Sequence, residues 1–448
     1  MVLRRSHLVL LIPLLAVGMR LASEPTANLS YLLITGYALK GRAQALQALA
    51  LSWLFSMLSS AIAPHASMAS IARYGPLIAA ASSIVIHKAA LPSLKRGKPL
   101  VQATLLLGLF FVVHALLFSS VADVSVLKAV SWTLATTTAI AGWAGVSDHW
   151  RELLRRQLFV GLVAVMVFSL PLLEMPAGYL VNGTGFQGIL SHPQAFGLTM
   201  ALLGAWAISW MVALRRPSWS LVLLGPVCLG LVVLSEARTA ALGLVLGVAA
   251  AVAVAPALSG GPLLRVMPGL RSPRVQIVIG LSLVGLMVAW PFVANRAETL
   301  IAKRSRAEGL IQAYQISRGG LMEGMWANIK LHPWRGIGFG IASLPELMIV
   351  ERDPILGLPA GAAIEKGVMP VAVLEEVGVP GLLFVATWLW IMLQRCARAG
   401  VGPLALLLVI LGLNMGEFTL FSLGGVGLLE IILLAWAVTG DPVVTRRA

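Results

Sequence analysis

Apolar stretches recur along this chain with the length and spacing of helices that cross a lipid bilayer. Fourteen can be marked out: 8–22, 28–39, 45–63, 69–87, 101–122, 126–146, 158–175, 195–214, 219–235, 239–257, 275–294, 379–394, 402–421 and 424–440. A helix needs about 20 apolar residues to cross the hydrocarbon core, and backbone polar groups in lipid must be satisfied within the protein, which here leaves helices as the spanning element. Composition points the same way. Hydrophobic residues are 58% of the chain, charged residues 11%, and the mean hydropathy is +0.90, outside the range of soluble globular domains. The expected fold is therefore all-α, a polytopic transmembrane bundle of about 12–14 spans. The second run is short for a full span and is expected to pair with the first as a hairpin. The amino end, MVLRRSHLVLLIPLLAVGM, has the basic start and apolar run of a signal peptide, but no small-residue cleavage site followed by a soluble domain. It is read as a retained first helix. Cys228 and Cys396 fall in or beside apolar runs, so neither a disulfide framework nor a thiolate metal cluster is expected.

Charge gives the chain an orientation. Of the 24 Lys and Arg outside residues 295–378, 20 lie in segments that alternation places on one side. They are Arg4, Arg5; Lys40, Arg42; Lys88, Lys95, Arg96, Lys98; Arg151, Arg155, Arg156; Arg215, Arg216; Arg265, Arg271, Arg274; Arg395, Arg398; and Arg446, Arg447. The positive-inside rule makes that side the cytoplasm, with both termini inside. The net charge of +15 is then a topology signal and not a footprint for nucleic acid.

Residues 295–378 break the pattern. This one segment carries 9 of the 33 basic and 9 of the 18 acidic residues, so it is a mixed-charge loop between two spans. The organisation expected is a bundle at 1–294, an extracytoplasmic catalytic loop containing helices at 295–378, and the last spans with a cytoplasmic tail at 379–448. Two shorter outer segments accompany the loop: PAGYLVNGTGFQGILSHPQAFG after Met175, and the turn Ser235-Glu236-Ala237-Arg238-Thr239. Three segments distant in sequence are thereby expected to meet on one face, in the periplasm or at the outer cell surface.

The motifs GILSHPQAFG, LSEARTAALGL, SRGGLMEGMWANIKLHPWRGIGFG and VLEEVGVPGLL occur in the order seen in the O-antigen ligase and polymerase superfamily, which roughly residues 180–395 resemble. Members of that superfamily are integral-membrane glycosyltransferases whose donor is an undecaprenyl-diphosphate-linked glycan. The resemblance implies that donor, a glycan acceptor, the bilayer and other polysaccharide-export proteins as partners, and no cofactor. Two departures stand out. Family ligases carry a His-Asn pair about nine residues before the Glu corresponding to Glu376, but here that place falls at Gly367 beside Lys366, and no histidine follows His332. The loop before His192 also lacks the Arg found in many relatives. These absences count against ligation to a lipid A core and favour polymerisation of an O-antigen or exopolysaccharide, with ligase-type transfer to another acceptor as the alternative.

The residue types fit the same chemistry. A lipid diphosphate leaving group gains negative charge, and the planar fork of Arg suits phosphate oxygens. Arg238 and Arg318 are the candidate diphosphate clamp, with Arg304, Arg306 and Arg335 in support. The attacking hydroxyl needs a general base, His or a Glu of raised pKa; His192, His332, Glu365, Glu375 and Glu376 are candidates, of which His332 and Glu376 are carried as catalytic and His192 as substrate-binding. Lys366 is a candidate ligand for phosphate or carboxylate.

Each has a structural reading beside the functional one. Arg238 can snorkel to the interface, Arg318 can pair with Glu323, His332 can end a helix, His192 can cap one ahead of Pro193, and Lys366 can be a solvated surface lysine. Gly336-Ile337-Gly338-Phe339-Gly340 lacks the βαβ setting of a nucleotide site and is read as a tight turn permitting close backbone approach. No metal site is expected on the outer face. Glu417 and Glu430 lie inside the last two apolar runs, where a charge must face the bundle interior, and Arg20 and Arg73 are possible partners. A transporter or flippase of a lipid-linked glycan is the alternative outside the enzymes. Such proteins tend to show internal repeats, and none is evident here.

Overall fold

The computed structural model describes residues 2–66, 68–87, 92–259, 262–302, 322–353, 357–362 and 366–440. The helices run α1 (Val2–Ala22), α2 (Glu24–Ala38), α3 (Arg42–Met57), α4 (Ala69–Ala72), α5 (Tyr74–Ile86), α6 (Pro92–Phe118), α7 (Ala122–Gly145), α8 (Asp148–Ser169), α9 (Pro193–Ala213), α10 (Trp219–Leu234), α11 (Arg238–Ser259), α12 (Leu263–Val266) and α13 (Pro273–Ala302). After a helix α14 at 322–331 come α15 (Met369–Ala399), α16 (Val401–Leu413) and α17 (Gly427–Val438). The molecule is 77% helical, as expected. Among the described residues six helices, Gly97–Phe118, Ala122–Gly145, Asp148–Glu174, Pro193–Ala213, Arg238–Leu258 and Met369–Ala399, are long and apolar enough to cross a membrane, and shorter apolar helices accompany them. α1 and α2 pack together, as the hairpin reading expects.

Local chemistry sets several boundaries. Ser23 and Thr26 form a reciprocal capping box at the start of α2, satisfying backbone donors that a helix start leaves open. The imidazole of His192 caps α9, with Pro193 at its first position. Three expectations need correction. The apolar run 45–63 stops being helical at Met57, where Leu58 forms an antiparallel bridge with Leu190. The run 402–421 stops at Leu413, because the Asn414 side chain turns the backbone: Oδ1 accepts from Thr419 N (2.9 Å) and Leu420 N (2.8 Å), and Nδ2 donates to Ile410 O (2.9 Å). Inside a bundle such a break needs side-chain partners for the freed backbone groups, and this amide supplies them. The long loop also holds an antiparallel hairpin, β1 (Val350–Arg352) with β2 (Pro359–Ala362), where only helices were expected.

The bundle has two chemically different ends. At one, arginines close the helix ends: Arg42 Nη1 donates to Gly145 O (3.2 Å), Arg151 Nη2 to Trp436 O (3.0 Å), and Arg274 Nη1 to Pro217 O (2.9 Å). At the other end the connecting segments interlock. Ser59 N donates to Ile189 O, Phe186 N to Leu234 O, Met369 N to Asn414 O, and Phe418 N to Lys366 O. Beneath them lies an aromatic core in which Phe111 stacks on Phe339 (4.1 Å, 14°), with Trp132 and Phe421 against Phe111.

The long loop enters this core by way of glycines. α15 is kinked at Gly378 (φ 66°), and the turn 336–340 lies against the kink. Ile337 N donates to Glu375 O (3.0 Å), Gly338 N to Glu376 O (2.9 Å), and Val379 N to Pro333 O (2.9 Å). A Cβ on Gly336 would strike Glu376 O, and one on Gly378 would strike Trp334 O. The close approach read from the Gly spacing is present. The boundary expected at 378 falls at the kink, inside one long helical element.

Gly378→Ala should lower stability by about 2 kcal/mol or more, since strain from a positive φ is added to a backbone collision. Gly425 also has a positive φ (60°) but no atoms near its Cβ position, so Gly425→Ala should cost about half as much. Thermal unfolding in detergent compares the two, and equal losses would show that the collision contributes nothing.

Candidate functional site

The carboxylates of the EEVG segment face inward. Glu375 and Glu376 are both 0% exposed, and Lys366 is 5% exposed. Lys366 Nζ lies 2.7 Å from Glu375 Oε2 and 3.2 Å from Glu376 Oε1. These contacts are ion pairs by distance and not aligned hydrogen bonds. The other carboxylate oxygens have donors: Asn328 Nδ2 bonds Glu375 Oε1 (2.7 Å), and Gly340 N bonds Glu376 Oε2 (2.8 Å). Asn328 Nδ2 also donates to Ser343 O (2.7 Å), so α14, the turn and the kink share one charged node. Val368, beside Lys366, has φ 56°, a rare conformation for a β-branched residue. The backbone bonds of Lys366 and Met369 to the 414–418 segment hold it there.

This placement corrects two expectations. Lys366 is neither a solvated lysine nor a surface ligand, because the 366–369 segment is threaded between the kink and the 414–418 break. Glu376 is not open to an acceptor hydroxyl: its oxygens are taken by Lys366 and Gly340 N, and no part of it is exposed. Both residues work in the interior.

Arg238, His192, His332 and Arg335 lie at or near the surface of the same end. Arg238 is exposed at the start of α11, after Glu236, which adopts φ 59°. Thr184 Oγ1 donates to Glu236 Oε2 (3.2 Å), joining the Gly-rich loop to the Arg238 turn. His192 is exposed, and its Nδ1 accepts from Gln194 N (3.1 Å). Gln194 Nε2 in turn donates to Glu417 Oε1 (3.1 Å). His332 closes α14, and Arg335 Nη2 approaches His332 Nδ1 at 3.2 Å. Arg335 is exposed, with its carbonyl 2.6 Å from His114 Nε2. Arg304, Arg306, Arg318 and Glu365 lie outside the described residues.

Donor chemistry fixes the histidine tautomers. An amide N–H and a guanidinium only donate, so Nδ1 is the acceptor in both His192 and His332. The neutral ring then carries its proton on Nε2. As placed, both histidines have their lone-pair nitrogen engaged, which argues against His332 as the base. Glu236 and Glu417, oriented by Thr184 and Gln194, are carboxylates on this face.

A third buried carboxylate, for which Arg20 and Arg73 were possible partners, pairs with neither. Glu430, 0% exposed, accepts from Asn414 Nδ2 (3.0 Å) and Thr419 Oγ1 (2.9 Å), bracing the break after α16. Arg20 instead donates to Phe55 O and Pro64 O. Asn328, Asn414 and the paired state of Lys366 escaped the sequence reading. The Gly spacing at 336–340 was the one signal that this segment is clamped.

No known protein family matches the chain, and no curated protein matches it.

Replacing Lys366 with Met leaves two buried carboxylates without their cation. Breaking a buried pair costs about 3–5 kcal/mol, so Lys366→Met should yield little folded protein. The triple change Lys366→Met, Glu375→Gln, Glu376→Gln should recover much of the loss. Size-exclusion profiles and thermal unfolding in detergent test this, and a stable single variant would refute the node.

Proposed function

We propose that this protein is a membrane glycosyltransferase that moves a glycan from a polyprenyl diphosphate to a sugar hydroxyl, acting as a polymerase of O-antigen or exopolysaccharide type. The reading rests on one observation. Segments distant in sequence meet at one end of the bundle: 182–194 is hydrogen-bonded to 235–239 and to 414–419, and 332–340 is tied to 414–419 through Glu376 and Lys366; together they offer Arg238, Arg335, two imidazole N–H groups and the carboxylates of Glu236 and Glu417. That set matches the charges the reaction develops. Guanidinium groups stabilise a departing diphosphate, and a carboxylate takes the proton of the attacking hydroxyl.

The surface of the loop supports a lipid-borne substrate. Leu331, Trp334, Leu347 and Ile349 are each at least 70% exposed. Outward-facing Trp and aliphatic side chains suit the membrane–water interface, the level at which a diphosphate on a polyprenyl tail is presented. In this reading the loop end faces the periplasm, the arginine-rich end faces the cytoplasm, and Arg318 completes the clamp with Arg238.

Purified protein in nanodiscs, given a polyprenyl-diphosphate oligosaccharide, should yield a ladder of longer glycans. Arg238→Ala and Arg318→Ala should each slow turnover about 100-fold, the scale of losing one charge-stabilising donor. A single addition to a different acceptor would make the protein a ligase. Absence of transfer to every acceptor tried, with passage of the lipid-linked glycan across the bilayer, would replace the enzyme with a transporter.

A further inference from the structure

Lys128 sits in the second turn of α7, at the end of the helix nearest the 336–340 turn. A lysine inside an apolar spanning helix is costly and normally finds a carboxylate. Lys366, its neighbour in the charged node, takes both available ones. Lys128 is half-buried, and among the described residues no carboxylate lies within ion-pair distance of it. Glu376 and Lys366 are the charged groups that act on it through space, and Glu376 is already committed to Lys366 and Gly340 N.

The position of Lys128 is built, not incidental. Its aliphatic stem lies across Gly340, and a Cβ at that glycine would collide with Cδ and stand 3.1 Å from Nζ. Gly340 (φ 70°) is locked by its bond to Glu376, while Ser125, three residues earlier on α7, donates to the Phe339 carbonyl. The lysine stem is thus held against the 336–340 turn, beside but not paired with Glu376.

We propose that Lys128 is an anion ligand, holding a phosphate oxyanion at the inner edge of the outer face. Resting on the transferase reading, that oxyanion is a phosphate of the lipid-linked donor, approached from below while the arginines approach from the surface. An ammonium is a compact point charge with three rotatable donors, which suits a phosphate that must enter and leave.

The wild-type protein provides the first test. Under reductive methylation followed by mass spectrometry, Lys128 should be modified, Lys366 should stay unmodified, and inorganic pyrophosphate should protect Lys128. Protection by pyrophosphate in phosphatidylcholine nanodiscs identifies a diphosphate ligand; protection that appears only when phosphatidylglycerol replaces phosphatidylcholine identifies a lipid headgroup. Either supports the site, and protection in neither overturns it. Lys128→Met should bind pyrophosphate roughly tenfold or more weakly, the scale of a lost charged hydrogen bond, while Lys128→Arg keeps binding. If Lys128→Met folds and binds as the wild type does, the assignment is wrong. Pyrophosphate binding that needs Lys128 in a protein without transferase activity would keep the site and remove the enzyme. Full transfer and unchanged donor affinity in Lys128→Met would remove the site alone.

Discussion

One ammonium between two carboxylates holds the working end of this bundle together. Lys366 reaches Glu375 and Glu376 where all three side chains are buried, and in so dry a setting an unpaired charge is far more costly than a paired one. Each carboxylate also accepts a bond from a different element, Glu375 from α14 and Glu376 from the 336–340 turn. The backbone around Lys366 is pinned to the break after α16. Four pieces of chain are therefore fixed by one electrostatic requirement, and the glycines of the turn and the kink are what allow their backbones to come close enough.

A second polar node repeats the principle. Glu430 and Asn414 replace, with side-chain groups, the helical bonds that α16 gives up after Leu413. The result carries Glu417 toward Gln194 and the cap of α9. The buried charged groups set where the chain runs, and the charged groups of the proposed site lie around them at the surface. In the proposed transferase this sets Arg238 and Arg335 at the surface above a fixed floor.

Much of the scaffold was legible in the sequence because it follows from local pattern. Long apolar runs imply spanning helices, His192-Pro193 implies a helix start, and three glycines at alternate positions imply a close approach. All three concern neighbours within a few residues. The break at Asn414 was not legible, since the run 402–421 stays apolar and the amide's acid partner is sixteen residues away. Nor was the burial of Lys366: a lysine in a polar loop looks solvated until its two glutamates, nine and ten residues on, are folded inward by the kink at Gly378. The histidines were candidates for the base by residue type, but their tautomers depend on donors that the fold brings to Nδ1.

The sequence by itself determined that the chain is a helical bundle suited to a membrane, with its short-loop arginines gathered apart from its long mixed-charge loop. Those properties are sums over residues and survive any detail of packing. Only the tertiary structure decided which charges are sealed and which are open. That depends on distances between segments far apart in the chain, and the strength of a charge interaction is set by those distances and by the water excluded around them.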